Sequence, residues 1–242
     1  MEVSIITVCY NSEKTIERTI KSVLNQTYQD YEYIIVDGAS TDKTLDIIKR
    51  YEPEFEGKMR WISEQDNGIY YAMNKGIGMA KGKLIGMINS DDYYEINALA
   101  DMVEAQGTED YQILYGFTRC IRDGEEVSIS ISSHRNLREQ MISHPSSFVT
   151  KKLYDDLGMY DTRYYSASDY DFMLRMYEDG RITFRPVYKL IANFSLGGMC
   201  ASSKAYLELL DVRFRHGIIS EKEYRTLLFK DRVYKLLHGK RL

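Results

Sequence analysis

The stretch VSIITVCYNSEKTIERTIKSVLNQ, residues 3–26, decides the fold because its hydrophobic period changes within a few residues. Residues 3–8 are mostly β-branched and apolar, which is typical of a buried strand. Asn11 or Ser12 then stands where a helix cap is expected, and apolar residues recur at helical spacing behind it. These residues are Ile16, Ile20, Val23 and Leu24. The stretch therefore predicts a strand followed by an amphipathic helix.

The same alternation continues over the first hundred residues. Helical patterns surround Leu45 and Ile48 and cover residues 69–81. Strands that alternate with helices favour an open, doubly wound α/β sheet with parallel pairing. In such a sheet the loops at the carboxyl ends of the strands converge on a crevice where ligands bind. Three further strand patterns belong to this series: YEYIIVDG at 31–38, MRWISE at 59–64 and KLIGMI at 83–88.

From about residue 97 the patterns are mixed, and no linker or repeat marks a boundary. We expect one α/β domain over 1–200, with a ligand-binding half (1–95) and a second half (96–200), followed by a helical extension over 201–242. Further elements are predicted as strands at 111–117 and 126–132, paired in a hairpin around RDGEE, a strand at 146–150, and helices at 169–178, 202–215 and 220–237.

Length and composition exclude several classes of protein. A chain of 242 residues suits one core, and no apolar stretch approaches the roughly 18 residues that span a bilayer. The start of the chain lacks the pattern of a secretory leader. Cys9, Cys120 and Cys200 are scattered without metal-ligand spacing, which indicates a reducing cytosol. We expect a cytoplasmic protein with no nucleic-acid partner.

Charge is unevenly distributed along the chain. Residues 202–242 hold ten Lys and Arg against five Asp and Glu, a charge of +5, within a chain whose total is −4. Such a basic segment is often a solvated helix face. It can also attract anionic lipid headgroups, or form a contact in a homodimer. These alternatives stay open from the sequence.

Two adjacent acids follow the buried run LIGMI in the sequence NSDD. Carboxylates suit a hard divalent cation such as Mn²⁺ or Mg²⁺, which proteins typically hold with one or two carboxylates while substrate phosphates complete the shell. Asp91 and Asp92 fit this role. The alternative is that one of them caps a helix over 95–105. Both interpretations remain open on these residues alone.

A third acid, Asp37, ends the second predicted strand. An acid there can accept hydrogen bonds from a nucleoside, but DGAS is also a typical turn sequence. The first half contains neither GxGxxG nor GxxxxGK[ST], so a dinucleotide fingerprint and a P-loop are both excluded. Phosphates would therefore need another partner, such as a cation held by Asp91.

The ordered set of these motifs resembles the family 2 glycosyltransferases of the GT-A fold. The resemblance runs from VSIITVCYN through DGASTDKT and SEQDNGIYYAMNKGIGMAKGKLIGMINSDD to HPSSFV and SASDYDFMLRM, over roughly residues 2–200. It implies a Rossmann-like nucleotide-binding half with a mostly parallel sheet flanked by helices. It also implies a nucleotide-diphosphate sugar as donor.

The resemblance assigns roles to particular positions. Asp91 matches the last acid of the family's D-x-D metal motif, while Asn89 stands where the first Asp is usual, so the ribose contact is in doubt and the metal ligand is kept. Asp92 is a supporting metal residue. The implied donor-binding positions are Val8, Tyr10, Asn11, Asp37, Asp66, Asn74, Asn89 and His144.

Sugar transfer with inversion needs a base for the acceptor hydroxyl. Asp169 resembles the family's catalytic Asp, although Ser168 replaces the Glu that usually precedes it. Asp169 could equally cap its helix, and both roles are compatible because capping keeps the carboxyl ionised. Asp171 is the fallback base. His144 is placed beneath the sugar by the resemblance.

The resemblance implies single transfer to a glycan or lipid-linked acceptor in bacterial surface polysaccharide or lipopolysaccharide biosynthesis. No QxxRW follows Asp169, which argues against a processive synthase. The basic tail would then rest on the inner face of the membrane. Two alternatives remain: transfer to polyprenyl phosphate, which needs little base catalysis, and a non-catalytic module that binds nucleotide sugars.

Overall fold

A computed structural model describes residues 1–197 and 202–238. Nine strands join one mixed sheet in this part of the chain. The strands are β1 (Val3–Cys9), β2 (Tyr31–Asp37), β3 (Met59–Ser63), β4 (Leu84–Met87), β5 (Tyr93–Tyr94), β6 (Gln112–Arg122), β7 (Glu125–Ser130), β8 (Ser147–Thr150) and β9 (Thr183–Ser195). The helices are α1 (Ile16–Leu24), α2 (Thr44–Tyr51), α3 (Ile69–Met79), α4 (Ala98–Ala105), α5 (Lys151–Leu157), α6 (Ser168–Asp179), α7 (Ser203–Arg215) and α8 (Glu221–His238).

The first half of the sheet confirms the predicted parallel arrangement. Its strands lie in the order β3-β2-β1-β4, and every neighbouring pair is parallel. Strand β1 ends opposite β2, with Cys9 paired to Asp37, and Asp37 is paired in turn to Ser63 of β3. The carboxyl ends of these strands therefore form one edge, and the loops that follow them share it.

The second half adds antiparallel strands. Strand β8 lies antiparallel between β4 and β6, with Gly86 opposite Phe148 and Tyr115 opposite Ser147. Strand β9 runs parallel to β6 and carries the short strand β5 at the edge of the sheet. The β6–β7 hairpin is confirmed, and its turn residue Asp123 has a φ of 53°. This left-handed conformation is the one that two-residue hairpin loops require.

Apolar residues fill both faces of the sheet, as expected for buried parallel strands. Side chains alternate across each strand, so Ile6 and Val36 pack in the core on the α3 and α6 side, whereas Ile5 and Ile35 pack in the core on the α1 and α2 side. All four are buried. Helices on both faces hold the sheet edge in place, and this edge carries the candidate site.

The predicted cap of the first helix is wrong. Helix α1 begins at Ile16, with Thr15 as its cap residue. Asn11 has a φ of 48°, and its side-chain oxygen accepts the backbone N–H of Thr41 in the loop after β2. The backbone carbonyl of Ser12 accepts the N–H groups of Thr15 and Ile16. Asn11 therefore joins the loops after β1 and β2, whereas Ser12 begins the turn that leads into α1 with its backbone carbonyl and not with its side chain.

The predicted C-terminal helices are confirmed as α7 and α8, whereas β5, α5 and β9 were not predicted. Helix α7 attaches to α6, because Nε2 of His216 lies 3.1 Å from Asp171 and its Nδ1 lies 2.8 Å from Glu178. No helix in the described part of the chain is long and apolar enough to cross a bilayer. Cys9 and Cys120 are free thiols, and Cys200 lies outside the described residues.

Candidate active site

The carboxyl ends of β1 to β4 bring the predicted polar residues to one rim. Tyr10 follows β1, Asp37 ends β2, Asp66 follows β3, and Asp91 and Asp92 follow β4. This is the clustering that the parallel topology predicts. The environments of the acids nevertheless differ strongly.

Asp37 is fully buried, and both of its oxygens are occupied. Oδ2 accepts the backbone N–H of Ser40 at 3.0 Å and the hydroxyl of Ser63 at 2.6 Å. Oδ1 accepts the hydroxyl of Ser40 and the thiol of Cys9. Burial, followed by the charge of Asp37, raises the pKa of the Cys9 thiol well above its usual range. Asp37 thus ties the ends of three strands together, and its contact with a nucleoside stays a prediction.

Two polar side chains of the rim lie beside Gly38, the residue after Asp37. A Cβ atom built on Gly38 would lie 3.0 Å from Oδ2 of Asp66 and 3.5 Å from the Tyr10 ring, so these two side chains flank the glycine. The Tyr10 side chain is 64% exposed. Asp66 accepts the N–H of Gly68, which shapes the turn before α3. The side chain of Val8 is buried in the core, so only its backbone can face a ligand at the rim.

The acid loop, which we define as Asn89 to Asp92, contains unsatisfied oxygens. Asp92 is fully buried; its Oδ1 accepts the N–H of Ser195 at 2.8 Å, while its Oδ2 has no hydrogen-bond partner in the described chain. Oδ1 of Asn89 is likewise buried without a partner there. The backbone carbonyl of Asp91 accepts the Arg18 guanidinium and the Ser195 hydroxyl.

Charge makes the acid loop costly without a cation. Burial, and then the neighbouring Asp91, raises the pKa of Asp92 well above its ordinary value. Burial also raises the pKa of Asp91, against the opposing charge of Arg18. A buried carboxylate is stable only when it is paired, protonated or bound to a metal.

The unpaired oxygen atoms of the acid loop fit a hard divalent cation. Oxygen atoms are the ligands that Mn²⁺ and Mg²⁺ prefer. Among the described residues no group of three His, Cys, Asp or Glu side chains surrounds a common point. A site with two carboxylates therefore leaves several coordination positions for other oxygen ligands.

Asp169 lies in the first turn of α6, where the helix dipole favours a negative charge. Its Oδ1 accepts the hydroxyl of Tyr70 at 2.9 Å and the backbone N–H of Tyr170 at 3.0 Å. Burial and the charge of Asp169 raise the pKa of Tyr70, so this tyrosine remains a hydrogen-bond donor. No hydrogen bond from the described residues reaches Oδ2 of Asp169, which is free to accept a proton.

His144 is buried close to Asp169. Its Nε2 lies 3.2 Å from the hydroxyl of Tyr160, and the two rings are in edge contact. Burial lowers the pKa of His144, with the charge of Asp169 opposing this effect, so the imidazole is neutral at pH 7. Asn74 pairs with the backbone N–H and carbonyl of Tyr160 at 3.0 and 2.8 Å. Asn74 thus positions the Tyr160 segment, and its contact with a donor stays a prediction.

Asp171 is excluded as the fallback base. It is buried, with one oxygen 2.8 Å from Arg175 and the other 3.1 Å from His216. Burial opposes the shift, but the hydrogen bonds from these two partners lower the pKa of Asp171. A carboxylate that is occupied on both oxygens has no position for a substrate proton. The two acids of SASDYD therefore have separate roles.

Three residues at the site escaped the sequence reasoning. Tyr70 orients Asp169, and its position directly after the QDNG turn is a signal that could have identified it. Ser195 binds both acids of the acid loop from 103 and 104 residues away, for which the sequence holds no signal. Arg18 on α1 stacks over the Tyr93 ring at 4.4 Å and reaches Asp91.

Comparison with protein families places these features in context. The model of glycosyl transferase family 2 matches residues 4–177. A PGL/p-HBAD biosynthesis glycosyltransferase of Mycobacterium tuberculosis is 29% identical over 220 residues, which cover 89% of this chain and 86% of that protein. An uncharacterized glycosyltransferase of the same organism is 35% identical over 180 residues, covering 72% and 68% of the two chains.

A longer relative matches over only part of its length. Chondroitin synthase of Escherichia coli is 32% identical over 209 residues, which cover 84% of this chain but 30% of that protein.

Solved structures share the fold. S. aureus TarS 1–349 in complex with UDP-GlcNAc superposes with a TM-score of 0.73 at 20% identity, over 97% of this chain and 73% of that one. The chain spans 44% of a longer TarS structure. A mannosyltransferase of Pyrobaculum calidifontis in complex with GDP-Man and Mn²⁺ superposes with a TM-score of 0.58 at 20% identity, over 89% of this chain and 61% of that one.

Proposed function

Because the chain belongs to glycosyl transferase family 2, we propose that it is an inverting, metal-dependent enzyme that transfers one sugar from a nucleotide-diphosphate sugar to a glycan or lipid-linked acceptor. The family and the GT-A fold make the chain a glycosyltransferase. We further propose a role in the assembly of bacterial surface polysaccharide or glycolipid, on the cytoplasmic side of the membrane.

One observation carries this proposal: the rim presents unsatisfied carboxylate oxygens from two distant segments. Asp92 belongs to the acid loop, and Asp169 belongs to α6, yet each has one oxygen without a partner among the described residues. A folded protein rarely leaves a buried acceptor such as Oδ2 of Asp92 unpaired without a ligand to satisfy it, whereas the partly exposed Asp169 can present its second oxygen to a substrate. One free oxygen suits a cation and the other suits the proton of an acceptor hydroxyl.

The donor half of the reaction would use the rim beside Gly38, between Tyr10 and Asp66. The exposed ring of Tyr10 can stack on a base, and Asp66 can accept hydrogen bonds from it. Asp91, Asp92 and Asn89 would hold Mn²⁺ or Mg²⁺, which would neutralise the charge on the departing nucleoside diphosphate. Two neighbours of similar fold bind UDP-GlcNAc, and GDP-Man with Mn²⁺, which supports this class of donor.

The acceptor half would use Asp169 as the general base. Tyr70 holds one carboxylate oxygen, so the other faces the incoming hydroxyl in a fixed orientation. As the acceptor oxygen forms its bond to the anomeric carbon, the bond to the nucleoside diphosphate breaks and the hydroxyl proton passes to Asp169. Because His144 is neutral, it places no positive charge close to the Asp169 carboxylate.

Peripheral membrane contact is part of the proposal. Helix α8 exposes Phe229, Leu236 and Leu237 on one side, with Lys230 and Arg232 beside them. Apolar side chains flanked by cations suit an anionic lipid surface. More protein should sediment with anionic than with neutral vesicles at low salt, and equal sedimentation would contradict this part of the proposal.

The decisive test compares Asp169→Asn with Asp179→Asn, an exposed acid at the other end of α6. Thermal stabilisation by nucleoside diphosphates and their sugars with Mn²⁺ first identifies the donor. Asp169→Asn should then lower kcat by about 10²- to 10⁴-fold while donor binding is kept, because a base is lost. The control should retain its rate.

Retained turnover in Asp169→Asn would remove this residue from its role. A near-normal rate with polyprenyl phosphate as acceptor would favour the alternative in which the acceptor is already an anion.

A further inference from the structure

A cavity of about 310 Å³ opens between β6, β9 and the segment that follows β7. This volume is at the lower end of the range for small-molecule sites. No acid of the rim lines it. Its lining includes Tyr115, Phe117, His134, Asn136, Gln140 and Tyr188.

A bulge in the sheet creates this cavity. Tyr115 pairs with Pro186, but Phe117 pairs with Leu190, so three residues of β9 lie opposite the single residue Gly116. A Cβ atom on Gly116 would lie 2.3 Å from the Ile191 side chain, so only glycine permits this close approach. The bulge turns Tyr188 outward, where it is 76% exposed.

The lining combines flat rings with neutral hydrogen-bonding groups. Phe117 and Tyr188 meet edge to face, with ring centroids 6.4 Å apart. Asn136 and Gln140 offer exposed amides. Arg135 is the single charged residue in the lining, and among the described residues no carboxylate contributes to it. Rings bind the apolar faces of pyranoses and amides bind their hydroxyls, whereas a lipid chain would leave the amides unpaired.

Two hydrogen bonds join the cavity wall to the reaction centre. The carbonyl of Gly116 accepts the hydroxyl of Ser146, two residues after His144. The carbonyl of Leu137, the residue after the lining residue Asn136, accepts the hydroxyl of Tyr170, which follows Asp169. The cavity is therefore next to both segments that form the acceptor side of the proposed reaction.

We propose that this cavity binds a pyranose ring of the acceptor saccharide, next to the residue that receives the new sugar. The ring stacks on Tyr188 and Phe117, and its hydroxyls bind Asn136 and Gln140. The single arginine and the missing carboxylates select a neutral or anionic saccharide. This assignment rests on the proposed function, because it names the acceptor of that reaction.

Saturation-transfer difference NMR on the full chain tests the site. The probes are the methyl glycosides of glucose, galactose, N-acetylglucosamine and glucuronic acid. Wild type should give signals from at least one of them. Tyr188→Ala should weaken this binding several-fold or more, because stacking on an aromatic ring contributes about 1 kcal/mol or more. Gln140→Ala should also weaken it several-fold or more, because the amide that binds the hydroxyls of the sugar is lost. Ile96→Ala, which removes an exposed apolar side chain between β5 and α4, should bind like wild type.

Signals of equal strength in wild type and Tyr188→Ala, or no signal from any of the four glycosides, would overturn the cavity assignment. Thermal stabilisation by nucleoside diphosphates with Mn²⁺ is measured on the same samples. If wild type is stabilised by nucleotide but binds none of the glycosides, the result contradicts only the cavity assignment. The absence of nucleotide stabilisation contradicts the proposed function, and glycoside signals that depend on Tyr188 then still support a saccharide site.

Discussion

The end of β2 and the loop after β4 both carry a buried acid at the same rim, but the two acids differ in how their oxygens are paired. Asp37 accepts hydrogen bonds from Ser40, Ser63 and Cys9 on its two oxygens. Asp92 accepts one, from Ser195, and its second oxygen has no partner in the described chain. The first acid stabilises the framework, whereas the second would be satisfied by the cation that we propose.

The same contrast occurs within one turn of α6. Asp171 is saturated by Arg175 and His216, whereas Asp169 keeps one oxygen free. Position at a rim thus identifies candidates, and the pairing of each oxygen separates supporting acids from reactive ones. Substitutions of both kinds of acid, and of their partners, test this distinction.

The largest effect is expected at the acid loop. Asp91→Asn should lower both Mn²⁺ affinity and transfer by about 100-fold or more, because a charged ligand to the ion is lost. Calorimetric titration with Mn²⁺ and nucleoside diphosphate, together with initial rates, measures both quantities. Asp46→Asn, an exposed acid on α2, is the matched control. Equal Mn²⁺ affinity in Asp91→Asn and wild type would contradict the assignment.

Asp37→Asn should act on stability. The new amide replaces one oxygen by an NH₂ group, which faces either the N–H of Ser40 and the hydroxyl of Ser63 or the hydroxyl of Ser40 and the thiol of Cys9. The variant should therefore lose about 1–3 kcal/mol in the free energy of unfolding. Urea denaturation checks this value. Ser63→Ala removes one of these donors and should cost less. An unchanged midpoint in Asp37→Asn would show that saturation does not mark a framework acid.

His216 should make stability depend on pH. The hydrogen bond from His216 to Asp171 raises the pKa of His216 above its usual 6.5. Burial opposes this shift, and a second hydrogen bond to Glu178 adds to it. The folded state therefore binds the proton more tightly than the unfolded state, so the stabilisation is complete below about pH 6.5 and is lost as pH rises through the folded pKa.

His216→Ala should lose about 1–2 kcal/mol at pH 6 and less at pH 9, as measured by urea denaturation at both values. The exposed cation variant Lys222→Ala should show no such difference. A His216→Ala penalty that grows with pH would mean that the imidazole is not held as a cation between Asp171 and Glu178.

The smallest effect, and one of opposite sign, is expected for Asp92→Asn. This variant removes a buried charge while it keeps an oxygen for Ser195, so the metal-free protein should be as stable as wild type or slightly more stable. Its melting temperature should rise less on addition of Mn²⁺. Thermal unfolding with and without the ion measures both. A strongly destabilised metal-free variant would show that Asp92 is a framework acid like Asp37.

Local patterns predicted the first half of the fold well. Strands of β-branched residues alternate there with amphipathic helices, and this alternation fixes parallel pairing. Strand β9 escaped because it carries Pro186, Arg185 and Lys189 and exposes many of its side chains at the bulge, so no clean period is present. The insertion of β8 between β4 and β6 depends on pairing between distant segments, which a local pattern does not encode.

The candidate site divides in the same way. Tyr10, Asp37, Asp66 and Asp91 reach one rim because topology alone brings them there. Pairing could not be predicted, since the partner of Asp92 lies 103 residues away.

Strand β9 connects the two substrate sites that we propose. Its bulge forms a wall of the cavity near Tyr188, and its last residue, Ser195, holds the acid loop. Whatever fixes one end of this strand also restrains the other, and such coupling is reciprocal by thermodynamic linkage. If the two ends are coupled in this way, the kinetics should show synergy between donor and acceptor instead of independent addition.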